Sequence, residues 1–120
     1  MTGTVDAEGR ALMTIDLRHP SGGPSTPIVV WVDSAFSADL VMPRSQIASL
    51  GLPVHQTVQS VLGDGSTVKL DTYHAELDWF GAWRQIEVIA NDGRFPLLGV
   101  GLLRGRILHI DYAAGTLTLD

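Results

Sequence analysis

Hydrophobic and polar residues alternate along most of the chain, and this period of two is typical of β-strands. In ALMTIDL (residues 11–17), the residues from Met13 to Leu17 place apolar side chains on one face at every second position. IVVWVD (residues 28–33) is apolar at every position before its final acid, which predicts a strand covered on both faces. The stretch between them, RHPSGGPSTP, collects Gly, Pro and Ser and predicts a loop.

One segment departs from the strand pattern. PRSQIASLGLP (residues 43–53) begins with a proline suited to a first helical turn, places Ile47 and Leu50 three residues apart, and then reaches Gly51, a typical stop signal. These features predict a short helix directly after the apolar run LVMP.

The second half of the chain consists of hairpin patterns. Gly63, Asp64 and Gly65 separate two β-rich runs and predict a hairpin tip, because these residue types tolerate the positive φ of tight turns. A second hairpin turns near Gly81, and ILHIDYAAGTLTLD (residues 107–120) reads as a final strand–turn–strand. The pattern therefore predicts a mainly β domain with one or two short helices.

Two stretches of the sequence echo each other. IVVWVDSA followed by LVMP and a helix has a counterpart in FPLLGVG followed by LLRG. Each combines an apolar strand, a tight turn of small residues and a brief apolar helical piece. The echo suggests two related halves within one small barrel.

Length and composition restrict the possible classes of protein. A chain of 120 residues, 45% of them apolar, predicts one domain over residues 1–120 with one core. No apolar run is long enough for a membrane span, and the N-terminal residues do not resemble a signal peptide. The net charge of −5 argues against nucleic-acid binding, and the lack of cysteine fits a reducing compartment. We expect a soluble, cytoplasmic protein with no nucleic-acid or membrane partner.

Three motifs occur in an order that resembles a known family. VDSAFSADLVMP, VLGDGS and PLLGVGLLRG…LHIDYAAGTLTL resemble the active-site loop, flap hairpin and following segment of retropepsin-like aspartic proteases. The resemblance covers roughly residues 11–120 and is closest to the small cellular and bacterial members. It implies an all-β, retropepsin-like closed barrel that forms a homodimer, an aspartic-type endopeptidase activity on peptide or protein substrates, and no cofactor or metal.

The resemblance also assigns roles to particular positions. Asp33 is the expected catalytic acid, with Ser34 and Ala35 completing the active-site loop. The hairpin tip would be a flap that closes over substrate. The flap residues are Gly63, Asp64 and Gly65, and the residues expected to pack behind the loop are Leu97, Leu98 and Gly99.

The chemistry of the family explains why Asp33 has small neighbours. Two carboxylates that share one proton provide an acid and a base together, and small neighbours let them approach and accept N–H bonds. Only Asp33 has this signature at the end of a buried strand, because Asp71-Thr72 lies within a strand and precedes Tyr73. One such acid per chain requires a second chain, which a two-fold axis supplies. The terminal runs TVDA and TLTLD are expected to offer free strand edges to this partner.

The sequence departs from the family at two positions. Ala35 replaces the usual Gly, and a methyl group there is tolerated only if φ is negative. Gly101 stands where many members carry Asp or Asn, so a side-chain bond to the active-site loop would be missing. The alternative function is therefore a catalytically impaired dimerisation or peptide-binding module, and a small-molecule-binding barrel is a third reading.

The sequence gives weaker support to other kinds of functional site. Gly99-Val-Gly101 lacks the spacing and following length of a dinucleotide-binding loop. No G-x-S-x-G elbow supports a serine hydrolase. Asp33 on its own also fits an ordinary Asx-turn. The four histidines lack the spacing of metal ligands, and the three tryptophans are interpreted as core or interface anchors.

Overall fold

The computed structural model describes residues 1–93 and 95–120. In these residues ten strands and two short helices follow one another along the chain. They are β1 (Thr2–Val5), β2 (Ala11–Arg18), β3 (Thr26–Val32), β4 (Leu40–Pro43), α1 (Arg44–Leu50), β5 (Val54–Val61), β6 (Thr67–Trp79), β7 (Ala82–Asn91), β8 (Leu97–Leu98), α2 (Val100–Leu103), β9 (Leu108–Asp111) and β10 (Thr116–Leu119).

The strands form one sheet that closes on itself. Its order is β5-β6-β7-β4-β8-β3-β2-β1-β10-β9, and an additional β6–β2 pairing joins the two sides. Six strands, β2, β3, β8, β4, β7 and β6, therefore form a closed ring. The ring encloses a core of aliphatic side chains that includes Leu17, Val30, Leu77 and Leu98.

The local predictions are confirmed. The alternating run at residues 11–17 lies in β2, and the predicted helix is α1, which begins after Pro43 and ends at Gly51 with a φ of +63°. The hairpins turn at residues 62–66 and at Phe80-Gly81. The all-β class, the closed strand arrangement and the two short helices are also as predicted.

The expectation that β3 is covered on both faces is wrong for the single chain. Ile28, Val30 and Val32 point into the core, whereas Val29 and Trp31 keep 47% and 38% of their surface exposed. An apolar run alone does not show which face a neighbouring element covers. The outward face of β3 is therefore an apolar surface next to Asp33.

The terminal strands also differ from expectation, because the chain pairs them with each other. β1 lies between β2 and β10, and β10 lies between β1 and β9. The Met1 ammonium donates a hydrogen bond to the Leu119 carbonyl at 2.7 Å. Neither β1 nor β10 has an edge free for a partner. The unpaired outer strands of the sheet are β5 and β9.

The closed ring has an internal two-fold relation. Exchanging β2 with β6, β3 with β7 and β4 with β8 leaves every pairing among these six strands unchanged. The two related halves expected from the sequence are therefore present, but with a different alignment. IVVWVD corresponds to IEVIAN in β7, and the strand that corresponds to LVMP is β8.

Candidate active site

Asp33 directly follows β3, at the point where the chain leaves the sheet. Its N–H donates to the Leu98 carbonyl at 2.9 Å, which fixes its backbone to β8. Its Oδ1 accepts the N–H of Ala35 at 2.9 Å, so the side chain closes an Asx-turn. Ser34 and Ala35 are exposed and too small to shield the carboxylate. Asp33 is thus held by its backbone and is partly open to solvent.

The internal two-fold places Asn91 at the position equivalent to Asp33. The Oδ1 of Asn91 accepts the N–H of Gly93 at 3.0 Å, which repeats the Asx-turn that Asp33 makes with Ala35. In the sequence, IVVWVDSA was matched with FPLLGVG rather than with the strand β7. Asn91 was therefore not recognised from the sequence as the counterpart of Asp33. One of the two equivalent turns carries an acid and the other carries an amide.

Three backbone hydrogen bonds fasten the loop after Asp33 to the start of α2. The N–H groups of Gly99, Val100 and Gly101 donate to the carbonyls of Asp39, Phe36 and Ala38, at 2.7–3.1 Å. Leu98 is fully buried and accepts the Asp33 N–H, while Leu97 pairs with Trp31 and Val41 in the neighbouring strands. The structure therefore brings all three predicted supporting residues against β3, β4 or the loop between them.

The predicted flap tip projects as an exposed hairpin turn. Leu62 and Ser66 close the turn through an N–H···O bond of 2.8 Å, and Gly65 has a φ of +85°, a conformation that glycine adopts readily. Asp64 accepts hydrogen bonds from the N–H and the hydroxyl of Ser66. The tip is therefore ordered by its own polar groups.

Solved structures of two proteases share this architecture. A retropepsin-like aspartic protease from Rickettsia conorii superposes with a TM-score of 0.68 at 17% identity, over 99% of this chain and 88% of that chain. The EIAV protease, solved with the inhibitor HBY-793, superposes with a TM-score of 0.61 at 17% identity, over 84% of this chain and 91% of that chain. The chain has the retropepsin-like fold. No family model matches the sequence, and no curated protein does.

Within this retropepsin-like fold, Ala35 is compatible with the backbone. Phe80 is the one non-glycine residue with positive φ in the described part of the chain, so Ala35 lies outside the left-handed region. The backbone at position 35 therefore meets the condition, stated from the sequence, under which a methyl group is tolerated: its φ is not positive. The departure from the usual Gly introduces no left-handed strain.

The glycine at position 101 leaves room for Asp39. A methyl group on Gly101 would overlap the Asp39 carboxylate, whose other oxygen lies 3.5 Å from the Glu87 N–H. The side chain of Asp39 thus occupies space that a larger residue at position 101 would need. Position 101 is joined to the loop through its own N–H rather than through a side chain.

The second Asp-Thr pair has a structural role. Asp71 accepts hydrogen bonds from Arg44 at 3.1 Å and from Thr57 at 3.0 Å, and Thr72 is fully buried in β6. Arg44 also lies 3.3 Å from Asp92, and these carboxylates raise the pKa of its guanidinium. Asp71 therefore links the start of α1 to the hairpin formed by β5 and β6.

Aromatic side chains lie beside the exposed turn. Trp31, two residues before Asp33 on the same face of β3, packs edge-to-face with Phe95 at 6.5 Å between ring centroids. The Arg10 guanidinium lies 4.7 Å from the centroid of the Phe95 ring and forms an ion pair with Asp6. Trp79 is buried in the core, whereas Trp83 is partly exposed beneath Arg18. The structure thus adds Phe95 and Arg10 to the surroundings of the candidate site.

The fold also brings together two histidines that are far apart in the sequence. The rings of His55 and His74 stack with centroids 4.0 Å apart, and Nε2 of His55 lies 3.6 Å from Glu87. In the described residues, no three His, Cys, Asp or Glu side chains are placed to hold a metal ion. Neither helix there has the length and apolar character needed to cross a membrane.

The hairpin tip has a testable acid dependence. Hydrogen bonds from the Ser66 hydroxyl and N–H lower the pKa of Asp64 from its ordinary value of 3.8. Because this pKa is depressed in the folded protein, the tip is stabilised above pH 3.8 and loses this contribution as pH falls through the lower folded value. In an NMR titration of the Asp64 carboxyl carbon, we expect a midpoint below 3.8, moving back towards 3.8 in Ser66→Ala. Identical midpoints in the two proteins would contradict the assigned hydrogen bond.

Proposed function

We propose that this chain is an aspartic-type endopeptidase, in which the Asp33 carboxylates of two identical chains activate a water molecule. The observation that carries the proposal is the exposed Asp33 turn, fastened to β8 and α2 within a fold found in aspartic proteases. A rigidly held carboxylate with small neighbours is suited to general acid–base chemistry. We take residues 1–120 as one domain, since the buried apolar residues form one cluster around the ring.

The requirement for two chains follows from the internal two-fold. The position equivalent to Asp33 in the same chain carries Asn91, and an amide cannot exchange the proton that a dyad shares. Asp71, the acid of the second Asp-Thr pair, is engaged by Arg44 and Thr57. A second copy related by a two-fold axis would supply an identical carboxylate.

Peptides are the proposed substrates because of the surface that surrounds Asp33. Val29 and Trp31 present an apolar face on one side of the turn, suited to the side chains of an extended peptide. We assign the tip Gly63, Asp64 and Gly65 as a flap that would close over the bound peptide and exclude water. The proposed compartment is the cytoplasm, since the chain has no cysteine.

Dilution tests whether two chains form one active site. Hydrolysis of a peptide library is measured by mass spectrometry at acid to neutral pH, over a range of chain concentrations. We expect the rate per chain to fall as the protein is diluted below its dimer dissociation constant, because only paired chains hold both carboxylates. A rate per chain that is constant down to concentrations where light scattering reports monomers would overturn the paired site. Absence of cleavage by a folded dimer would overturn the peptidase assignment.

A further inference from the structure

Three neighbouring strands each contribute one titratable side chain to a cluster at the base of the β5–β6 hairpin. The rings of His55 and His74 stack with centroids 4.0 Å apart and an interplanar angle of 27°. Nε2 of His55 lies 3.6 Å from Oε2 of Glu87, and His74 lies directly opposite Glu87 in the pairing of β6 with β7. We call His55, His74 and Glu87 the histidine cluster. It connects β5 to both β6 and β7.

His55 reaches the cluster because of an irregularity in β5. Val54 is paired with Tyr73 and Gln56 with Thr72, so His55 is an extra residue between two consecutive pairs. Such a bulge changes the direction of a side chain relative to the regular alternation of a strand. In the part of the chain that the structure describes, β5 pairs with β6 alone. The contacts of His55 therefore help to hold β5 at the base of the hairpin.

The charged neighbours of the histidine cluster on adjoining elements are engaged with other groups. They are Glu76 of β6 with Arg18 of β2, Arg44 of α1 with Asp71 and Asp92, and Asp39 before β4, whose carboxylate lies 3.5 Å from the Glu87 N–H. The nearby negative charge of Asp39 favours a proton on the cluster. The charge balance within the cluster is therefore set mainly by its own three side chains.

Protonation changes the forces within the histidine cluster in two steps. A first proton makes one imidazole cationic beside the Glu87 carboxylate, and the opposite charges attract. A second proton places two imidazolium rings in stacked contact, and the like charges repel. Histidine is the side chain whose charge ordinarily changes between about pH 5 and 8. The attachment of β5 is therefore strongest with one proton on the two rings and weakens when a second one binds.

We propose that the histidine cluster is a pH-sensitive fastening at the base of the β5–β6 hairpin, closed by one proton and released by a second. The hairpin then opens more readily in acid. The inference does not require the proposed peptidase activity, because the hairpin is present in either case. If the tip acts as a flap, its closure over a peptide would depend on pH separately from the protonation of the Asp33 pair.

Hydrogen exchange of backbone amides measures the release of the hairpin. Exchange is followed by NMR from about pH 8 to about pH 5, and each rate is corrected for the intrinsic rate at the same pH. The β5 amides bonded to β6 are expected to be most protected in the middle of this range. Towards its acid end they should lose about fivefold of that protection, the effect of two unit charges 4.0 Å apart in water. Amides of β3, which pairs with none of β5, β6 and β7, are expected to keep theirs.

Two substitutions with different expected results separate this pH response from a general loss of structure. His74→Gln leaves a single imidazole beside Glu87, so the protection of β5 is expected to rise as His55 is protonated and to stay high in acid. His55→Gln removes the link between β5 and Glu87, so the protection of β5 should be nearly constant over the range. The matched control is His109→Gln, an exposed position in β9 at the opposite end of the sheet order, and it is expected to repeat the wild-type profile.

The results decide the inference without a measurement of peptide cleavage. If His74→Gln loses β5 protection in acid as the wild type does, release does not need a second imidazolium and the proposal is wrong. It is also wrong if the wild type shows constant β5 protection, or if β3 amides lose protection in parallel with β5, since the whole domain would then be opening. An inactive chain with the expected exchange profile would overturn the peptidase and leave the fastening in place.

Discussion

Replacing Asp33 by Asn is expected to reduce peptide hydrolysis by about 10²–10⁴-fold, the range typical for loss of an acid–base group. The amide keeps the size of the side chain and still accepts the Ala35 N–H through its oxygen, so the Asx-turn survives. Asn91 shows that the equivalent turn forms with an amide in the same chain. The loss would therefore be chemical, and the melting temperature is expected to stay within a few degrees of wild type.

The matched control is Asp16→Asn, which removes one negative charge from an exposed position of β2. Its hydrolysis is expected to equal that of the wild type. The wild type should show a bell-shaped pH profile, because a dyad is active only while it holds one proton, and the profile belongs to the pair. If Asp33→Asn cleaves as fast as Asp16→Asn, the activity comes from another site.

Gly99→Ala is expected to be among the most destabilising single substitutions around the site. A methyl group at position 99 would overlap the Ala38 carbonyl oxygen and the backbone and ring of Phe36, and these atoms belong to the loop that follows Asp33. Moving that loop would also break its bonds to the N–H groups of α2. Overpacking of this kind lowers the free energy of unfolding by about 1–3 kcal/mol. Hydrolysis should fall as well, since the same loop positions the carboxylate.

Gly63→Ala provides the comparison for stability. Gly63 lies outside the positive-φ region, and a methyl group there meets no atom within 4 Å. Urea unfolding of the two variants should give a near-wild-type midpoint for Gly63→Ala and a clearly lower one for Gly99→Ala. Equal midpoints would show that the loop after Asp33 can move without loss of stability. The close approach of this loop to α2 would then not require a glycine at position 99.

The sequence was informative wherever local chemistry decides the structure. The alternation in residues 11–17, the stop signal at Gly51 and the tip at Gly63-Asp64-Gly65 each predicted their element. These signals depend on backbone preferences and on the period of two, which operate within a few residues. The order of the motifs around Asp33 then pointed to the fold that the comparisons show.

Features that depend on distant partners could not be predicted in the same way. The hydrophobicity of β3 did not reveal that Trp31 faces outward. Whether another element covers the outward face of β3 depends on residues that are distant in the sequence. The pairing of β1 with β10 joins residues more than 100 positions apart, and it left β9 as the open edge. The stacking of His55 on His74 likewise arises only when β5 and β6 pair.

The two equivalent Asx-turns have an evolutionary consequence. A duplicated and fused gene leaves two copies of each position, and after fusion the copies are free to diverge. In this chain the first of the two related halves carries Asp33 and the second carries Asn91, each accepting a hydrogen bond from the N–H of the residue two positions on. The shared turn meets the same folding requirement in both halves, and under the proposed function selection for chemistry would act on the carboxylate of the first half alone. Among homologues, the turn hydrogen bond should persist at both positions, while the acid itself should be retained only at the first.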